Sequence, residues 1–229
     1  MNLLILNPNN SEAMTAQVLE AARCWAPTNA VLRGTTATQG PPVIASRESF
    51  AAGACAARAL WQAQDDGWAD VVLLACFGDP GLAELRRGSR VPVIGMAEAA
   101  LTEAAQVGRP FHIITAGRAW DAMLRETIAQ HPAAAPLLHG ITVLEGTGLA
   151  MAQDPTSYIA HLQGTLHALQ QSGAPTCILG GAGFARLSSQ LQYAGVLLDG
   201  ISAGVRAAQN CESKAPQLPM QGLLHGLVP

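Results

Sequence analysis

The chain has 229 residues, 49% of them hydrophobic, with 16 acidic and 13 basic residues and a formal net charge of −3. That length suits one domain or two small interlocked halves, and a charge fraction of 13% with neither sign dominant leaves no electrostatic footprint for nucleic acid or an anionic membrane. Of the 13 basic residues 12 are Arg and the only Lys is Lys214, which argues against a Schiff-base lysine and a phosphate-binding P-loop.

Short, continuously apolar runs alternate with longer Ala-rich stretches. Leu3–Leu6 reads as a strand, and Asn7-Pro8-Asn9-Asn10-Ser11 turns from it into a helix, with Asn10 or Ser11 as N-cap and Glu12 in the first turn. Glu48–Asp66 is helical and Val71–Ala75 is a strand. At Cys76-Phe77-Gly78-Asp79-Pro80-Gly81, Asp79 can cap the next helix and Pro80 suits its first position. Strand Val91–Ile94, helix Ala97–Val107, strand Phe111–Ile114, helix Arg118–Gln130, strand Ile141–Leu144 and helix Pro155–Ser172 follow. Strands Cys177–Leu179 and Val196–Leu198 and helix Ile201–Asn210 come last, with an extended tail after Asn210. Runs too short for helices and apolar throughout are what strands covered on both faces require, so the rhythm is that of a parallel α/β sheet.

The chain also matches itself. Val71–Gly78 can be laid over Thr176–Gly183, Pro92–Gly95 over Val196–Asp199, and Leu4–Asn9 over His112–Gly117. Three matches in one order predict two half-domains of one design. We place the first in residues 1–95 plus 200–229 and the second in 96–199.

Ligands of open parallel sheets bind beyond the carboxyl ends of the strands, and three such ends stand out. The Asn7–Ser11 turn offers backbone N–H groups to an anion; an ordinary turn with a cap accounts for Asn10 and Ser11 but not for the Asn7 and Asn9 pair. Cys76 ends a buried strand before a helix start, where unpaired N–H groups favour a thiolate, although a small buried hydrophobe is the commonest fate of a free cysteine. Gly180-Gly181-Ala182-Gly183-Phe184 fails the dinucleotide spacing, since Arg186 stands where Gly or Ala is needed, and reads better as an anion nest facing the Cys76 loop.

The five cysteines, Cys24, Cys55, Cys76, Cys177 and Cys211, are odd in number and widely spaced, and the six histidines show no metal-ligand spacing. No disulfide framework or metal site is expected. The start Met1-Asn2-Leu3 lacks a basic stretch before an apolar one, and no apolar run approaches the roughly 20 residues that cross a bilayer. The expectation is a cytoplasmic protein with free thiols, no membrane or nucleic-acid partner, and a possible homo-oligomer.

Together the three loops resemble the Asp/Glu/hydantoin racemase superfamily, in its hydantoin and allantoin racemase branch. The resemblance rests on Asn7–Ser11 with Met14 and Thr15, Ala75–Leu82, Pro92–Gly95 with Glu98–Ala100, Ile113–Thr115, Ile178–Gly183 and Asp199–Ile201. It implies two pseudosymmetric α/β half-domains with the active site in the cleft between them, and no cofactor. It also implies two cysteines on opposite faces of an acidic carbon, one removing the α-proton and the other returning one. Carried over, Cys76 is the first acid/base. Phe77 and Gly78 offer one set of amides, Ala182 and Gly183 the other, and Asn9 and Thr115 contact substrate; Pro8, Asp79 and Gly117 complete the substrate-binding set.

The second cysteine belongs at position 181, and this chain has Gly181. Cys177 lies four strand residues away, roughly 13 Å, inside the sheet. Three readings follow: racemisation with water or another acid on the Gly181 side; one-sided chemistry such as decarboxylation of a malonate-type acid, with the product hand inverted relative to relatives that keep the other cysteine; or small-anion binding without turnover. The leading expectation is a cofactor-independent isomerase acting next to a carbonyl, on a hydantoin or related cyclic ureide. Phe77, Phe184 and Trp120 either line the pocket or only pack.

Overall fold

The computed structural model describes residues 1–64, 67–184 and 187–214. They form two four-stranded, all-parallel sheets. The first holds β1 (Asn2–Asn7), β2 (Val31–Thr36), β3 (Val71–Leu74) and β4 (Val93–Gly95) in the order β2-β1-β3-β4. The second holds β5 (Phe111–Ala116), β6 (Leu138–Leu144), β7 (Thr176–Leu179) and β8 (Val196–Asp199) in the same order, β6-β5-β7-β8. Helices α1 (Glu12–Arg23), α2 (Arg47–Gln62), α3 (Leu82–Gly88), α4 (Met96–Val107), α5 (Trp120–Ala129), α6 (Gly148–Gln153), α7 (Pro155–Gln171) and α8 (Gly200–Lys214) cover the faces.

The inner strands β3, β5 and β7 are buried along their whole length, as their unbroken apolar runs require. Ladder registers reproduce the internal match residue for residue. Leu3 lies beside Val71 where Phe111 lies beside Thr176, and Val72 lies beside Val93 where Cys177 lies beside Leu197. Leu6 accepts from the Ala75 N–H at 2.9 Å, and the corresponding Ile114 accepts from Gly180 at 2.8 Å. One apolar core joins the two sheets, with Leu3, Ile5 and Leu73 from the first and Phe111, Ile113 and Ile178 from the second. Helix α8 packs on α4, α1, β3 and β4, while α4 also reaches β7 and β8, so each sheet is partly covered by the helix that follows the other.

Four differences from the sequence reading have plain causes. Strand β2, Val-Leu-Arg-Gly-Thr-Thr, is an exposed edge strand without the apolar run of the inner strands. Helix α2 ends at Gln62, short of Asp66, which lies outside the described residues. Helix α6 is a single short element that no periodicity could announce. Helix α8 continues through Cys211 to Lys214, so the segment just after Asn210 is helical; the remaining tail, 215–229, lies outside the described residues. No helix among the described residues is long and apolar enough to cross a membrane.

Candidate active site

Strand β3 delivers Cys76 to the cleft. The chain turns at once: Asp79 N–H donates to the Cys76 carbonyl at 3.0 Å, Gly78 sits at φ +132° and Asp79 at φ +56°. Glycine is required at Gly78 twice over, by its φ and because a Cβ would lie 2.6 Å from the Trp120 ring. Strand β7 delivers Gly181 to the same cleft from the other half. Phe184 N–H donates to the Gly181 carbonyl at 3.2 Å, the same one-turn closure. Among the described residues, the N–H groups of Phe77, Gly78, Ala182 and Gly183 donate to no backbone carbonyl. Such N–H groups beside a strand end are ready donors for an anionic oxygen.

Between the two turns lies a cavity of about 60 Å³. Asn9, Cys76, Phe77, Thr115, Gly181, Ala182 and Gly183 all line it. Pro8 and Gly117 do not, and Gly78 and Asp79 face a larger groove of about 500 Å³ behind the Cys76 turn. Asn9 is fixed by its neighbours: its Oδ1 accepts from the Asn7 side chain and from Ser11 N–H, both at 2.9 Å. Ser11, not Asn10, caps α1. Thr115 Oγ1 donates to the Gly180 carbonyl at 2.8 Å, tying β5 to the glycine turn. Among the described residues of the lining no side chain carries a charge.

Asp79 does something other than cap the helix after it. Helix α3 starts at Leu82 with Gly81 as its cap, and the Asp79 carboxylate accepts from Ala97 and Glu98 N–H at 3.0 and 2.8 Å, so it caps α4. The expected cap on the nearest helix start is not made, because the left-handed backbone at Asp79 turns its side chain to a more distant one. Burial raises the Asp79 carboxyl to about 7, against the pull of the two N–H bonds. Burial, and then the Asp79 charge, push the Cys76 thiol well above its ordinary range. Cys177 lies wholly buried in β7, outside the cavity, and burial raises it to about 12. Among the described residues no cluster of His, Cys, Asp and Glu could hold a metal ion.

The apolar wall was largely missed. Met14, Pro42, Val43, Ile44, Gly148 and Leu149 line the cavity, from α1, the loop before α2 and the start of α6. Only Pro41-Pro42, a marker of a fixed turn, hinted at the loop. Phe77, Trp120 and Phe184 both line the cavity and pack, Trp120 donating its indole N–H to the Ile44 carbonyl at 3.1 Å and meeting Phe50 edge-on at 6.2 Å.

Two half-domains of one design, with a cavity between matching strand ends, define a racemase-type α/β protein. The chain belongs to the Asp/Glu/hydantoin racemase family, whose pattern it matches over residues 3–208. It is 30% identical over 214 residues to a hydantoin racemase of Paenarthrobacter aurescens, spanning 92% of this chain and 90% of that protein. An allantoin racemase from Klebsiella pneumoniae superposes with a TM-score of 0.85 at 28% identity, covering 93% of this chain and 88% of the other. The allantoin racemase of Pseudomonas fluorescens shares the fold, with a TM-score of 0.86 at 22% identity over 93% and 91% of the two chains. These relatives place the chain in the hydantoin and allantoin racemase branch, among isomerases.

Proposed function

We propose that the chain is a cofactor-independent racemase or epimerase acting at an acidic carbon beside a carbonyl, with a hydantoin or related cyclic ureide as substrate and Cys76 as the group that moves the proton. The observation that carries this reading is the cavity itself, with Cys76 on one wall, Gly181 at the matching place on the other, and unpaired amides beside both. An uncharged ring suits a lining whose described side chains carry no charge. A free amino acid would leave its ammonium group without a carboxylate partner, which is costly in a closed site. As the α-proton leaves, negative charge grows on the carbonyl oxygen, and the N–H groups of Phe77 and Gly78, or of Ala182 and Gly183, are placed to stabilise it. Asn9 and Thr115 supply polar contacts at the rim of the ring. On the Gly181 face a water takes the part of a second acid. Five free cysteines, two of them exposed, support a reducing, cytoplasmic setting, and the near-balanced charge supports a small molecule as partner over nucleic acid or membrane.

The test is incubation of a single-enantiomer hydantoin in D₂O. Deuterium at the α-carbon together with loss of optical rotation is expected, and Cys76→Ala should abolish both. Activity that survives Cys76→Ala makes Cys76 a structural thiol and removes the site assignment.

One observation favours a second reading. Cys76 is held as a thiol, a proton donor, and among the described residues of the lining no second thiol stands on the other face. That is the protonation state needed to quench the carbanion left by loss of CO₂ from a malonate-type acid. Deuteration with retained configuration, or CO₂ release from an arylmalonate, selects one-sided chemistry.

A further inference from the structure

We propose that Asp79 is a positioning residue for Cys76: it pins the Cys76–Phe77–Gly78 turn to the N-terminus of α4 and holds a negative charge beside the thiol. The proposal rests on Cys76 as the proton-moving group. Three features of the geometry carry it. The turn closes through Asp79 N–H on the Cys76 carbonyl at 3.0 Å. The carboxylate then takes both Ala97 and Glu98 N–H groups. The fold makes room for this reach: a Cβ on Gly95 would lie 2.4 Å from Asp79 Oδ2, and Asp79 holds a left-handed backbone that costs a non-glycine residue strain.

A helix N-terminus next to a cysteine normally favours the thiolate. Here the second and third N–H groups of α4 are spent on Asp79, whose carboxylate offsets their partial positive charge. The other charges that bear on Asp79 are Glu98 from α4 and Arg86 from α3, which pair with each other. The resolved charge acting on Cys76 is Asp79 alone. Asp79 thus fixes where the sulfur sits and favours the thiol over the thiolate.

The second half provides the control. Asp199 caps α8 by accepting from Ile201 and Ser202 N–H at 3.1 and 2.9 Å, the positions that match Ala97 and Glu98. It does so from the end of β8, without reaching across a reactive turn. The experiment is alkylation of the whole protein by iodoacetamide across pH 6 to 11, with the Cys76 peptide followed by mass spectrometry. Asp79→Asn should speed labelling of Cys76 about tenfold at each pH above about 8, as a midpoint lowered by about one pH unit requires. Asp199→Asn should leave the rate unchanged. Asp79→Ser, uncharged but still able to accept one N–H, should behave as Asp79→Asn does and serves if that variant does not fold. A parental labelling rate in the Asp79 variants, or an equal rise in Asp199→Asn, overturns the proposal. Because the readout needs no turnover, it stands or falls separately from the substrate assignment.

Discussion

The two halves share their scaffold and differ in their chemistry. Both sheets have one strand order, both third strands end in a turn closed by the same backbone bond, and both fourth strands lead into a helix whose second and third N–H groups are held by an aspartate. Yet the first half has Cys76 where the second has Gly181. The capping aspartate comes from the turn in the first half and from the strand end in the second, where Gly95 and Asp199 are matching positions. The turn, with N–H groups that donate to no backbone carbonyl, is thus present twice, and the cysteine at the strand end once. Backbone donors need only the fold, whereas acid/base catalysis needs a specific side chain on each face, so one substitution separates the two properties.

Gly181→Cys should give the largest effect, because it restores the symmetry of the walls. Gly181 has no positive φ, and a Cβ there would meet only Phe184 ring atoms, both at 3.3 Å, which a shift of a few tenths of an ångström relieves. Racemisation of a hydantoin should rise on the order of 10² or more, the usual worth of a placed acid/base group. Racemisation that stays at the parental level while α-deuterium exchange continues would show that the two walls are not equivalent about the substrate carbon.

Gly180→Ala probes the packing difference. Ala75 carries a methyl at the matching position, but a Cβ on Gly180 would lie 2.8 Å from the Phe77 ring and 2.9 Å from Ile113. Phe77 is the first-half side chain that crosses the cleft, so only the second half must yield there. Overpacking of this kind costs about 1–3 kcal/mol. Urea unfolding should show that loss for Gly180→Ala and no more than about 1 kcal/mol for Ala75→Gly. Equal losses would mean that the Phe77 ring is free to move aside.

These contrasts also mark what the sequence could reveal. Strands β1, β3, β5 and β7 were legible because burial on both faces demands unbroken apolar runs, and the duplication was legible because matching strands carry matching turns. Cys76, Asn9, Thr115 and the glycine turn at 180–183 sit at strand ends, where chain order and spatial order agree. The wall formed by Val43, Ile44 and Leu149 was not legible, because those loops meet the cavity only through tertiary packing and carry no residue type that marks chemistry. The partner of Asp79 was hidden for a similar reason: a capping residue is read against the nearest helix, and here a left-handed residue sends it 18 residues on, to Ala97.

Asp199→Ala tests the cap that stays local. Removing it frees Ile201 and Ser202 N–H groups and the Ser202 hydroxyl, which donates to Asp199 Oδ2 at 2.8 Å. A lost cap costs about 1 kcal/mol. Thermal unfolding should register that loss, while α-deuterium exchange at saturating substrate stays near the parental rate. A large fall in exchange would tie α8 to the site and erase the contrast with Asp79.

The smallest effect is the pH dependence that Asp79 adds to stability. Its carboxyl is raised from an ordinary 3.8 to about 7 by burial, so between those values the folded chain holds a proton that the unfolded chain has released. Stability therefore declines as pH rises from about 4 to about 7, and is level on this account outside that window. The side chain keeps some contact with solvent, which screens part of this effect. Exposed Glu84 is lowered by its own backbone N–H and then by Arg87, and exposed Glu126 by Arg47, so both act in the opposite sense at lower pH, which makes the difference between parent and variant the useful quantity. Urea midpoints from pH 4 to pH 8 should fall less steeply in Asp79→Asn than in the parent. A parental slope retained in Asp79→Asn would mean that another group takes up the proton, and that Asp79 stays ionised on the N-terminus of α4.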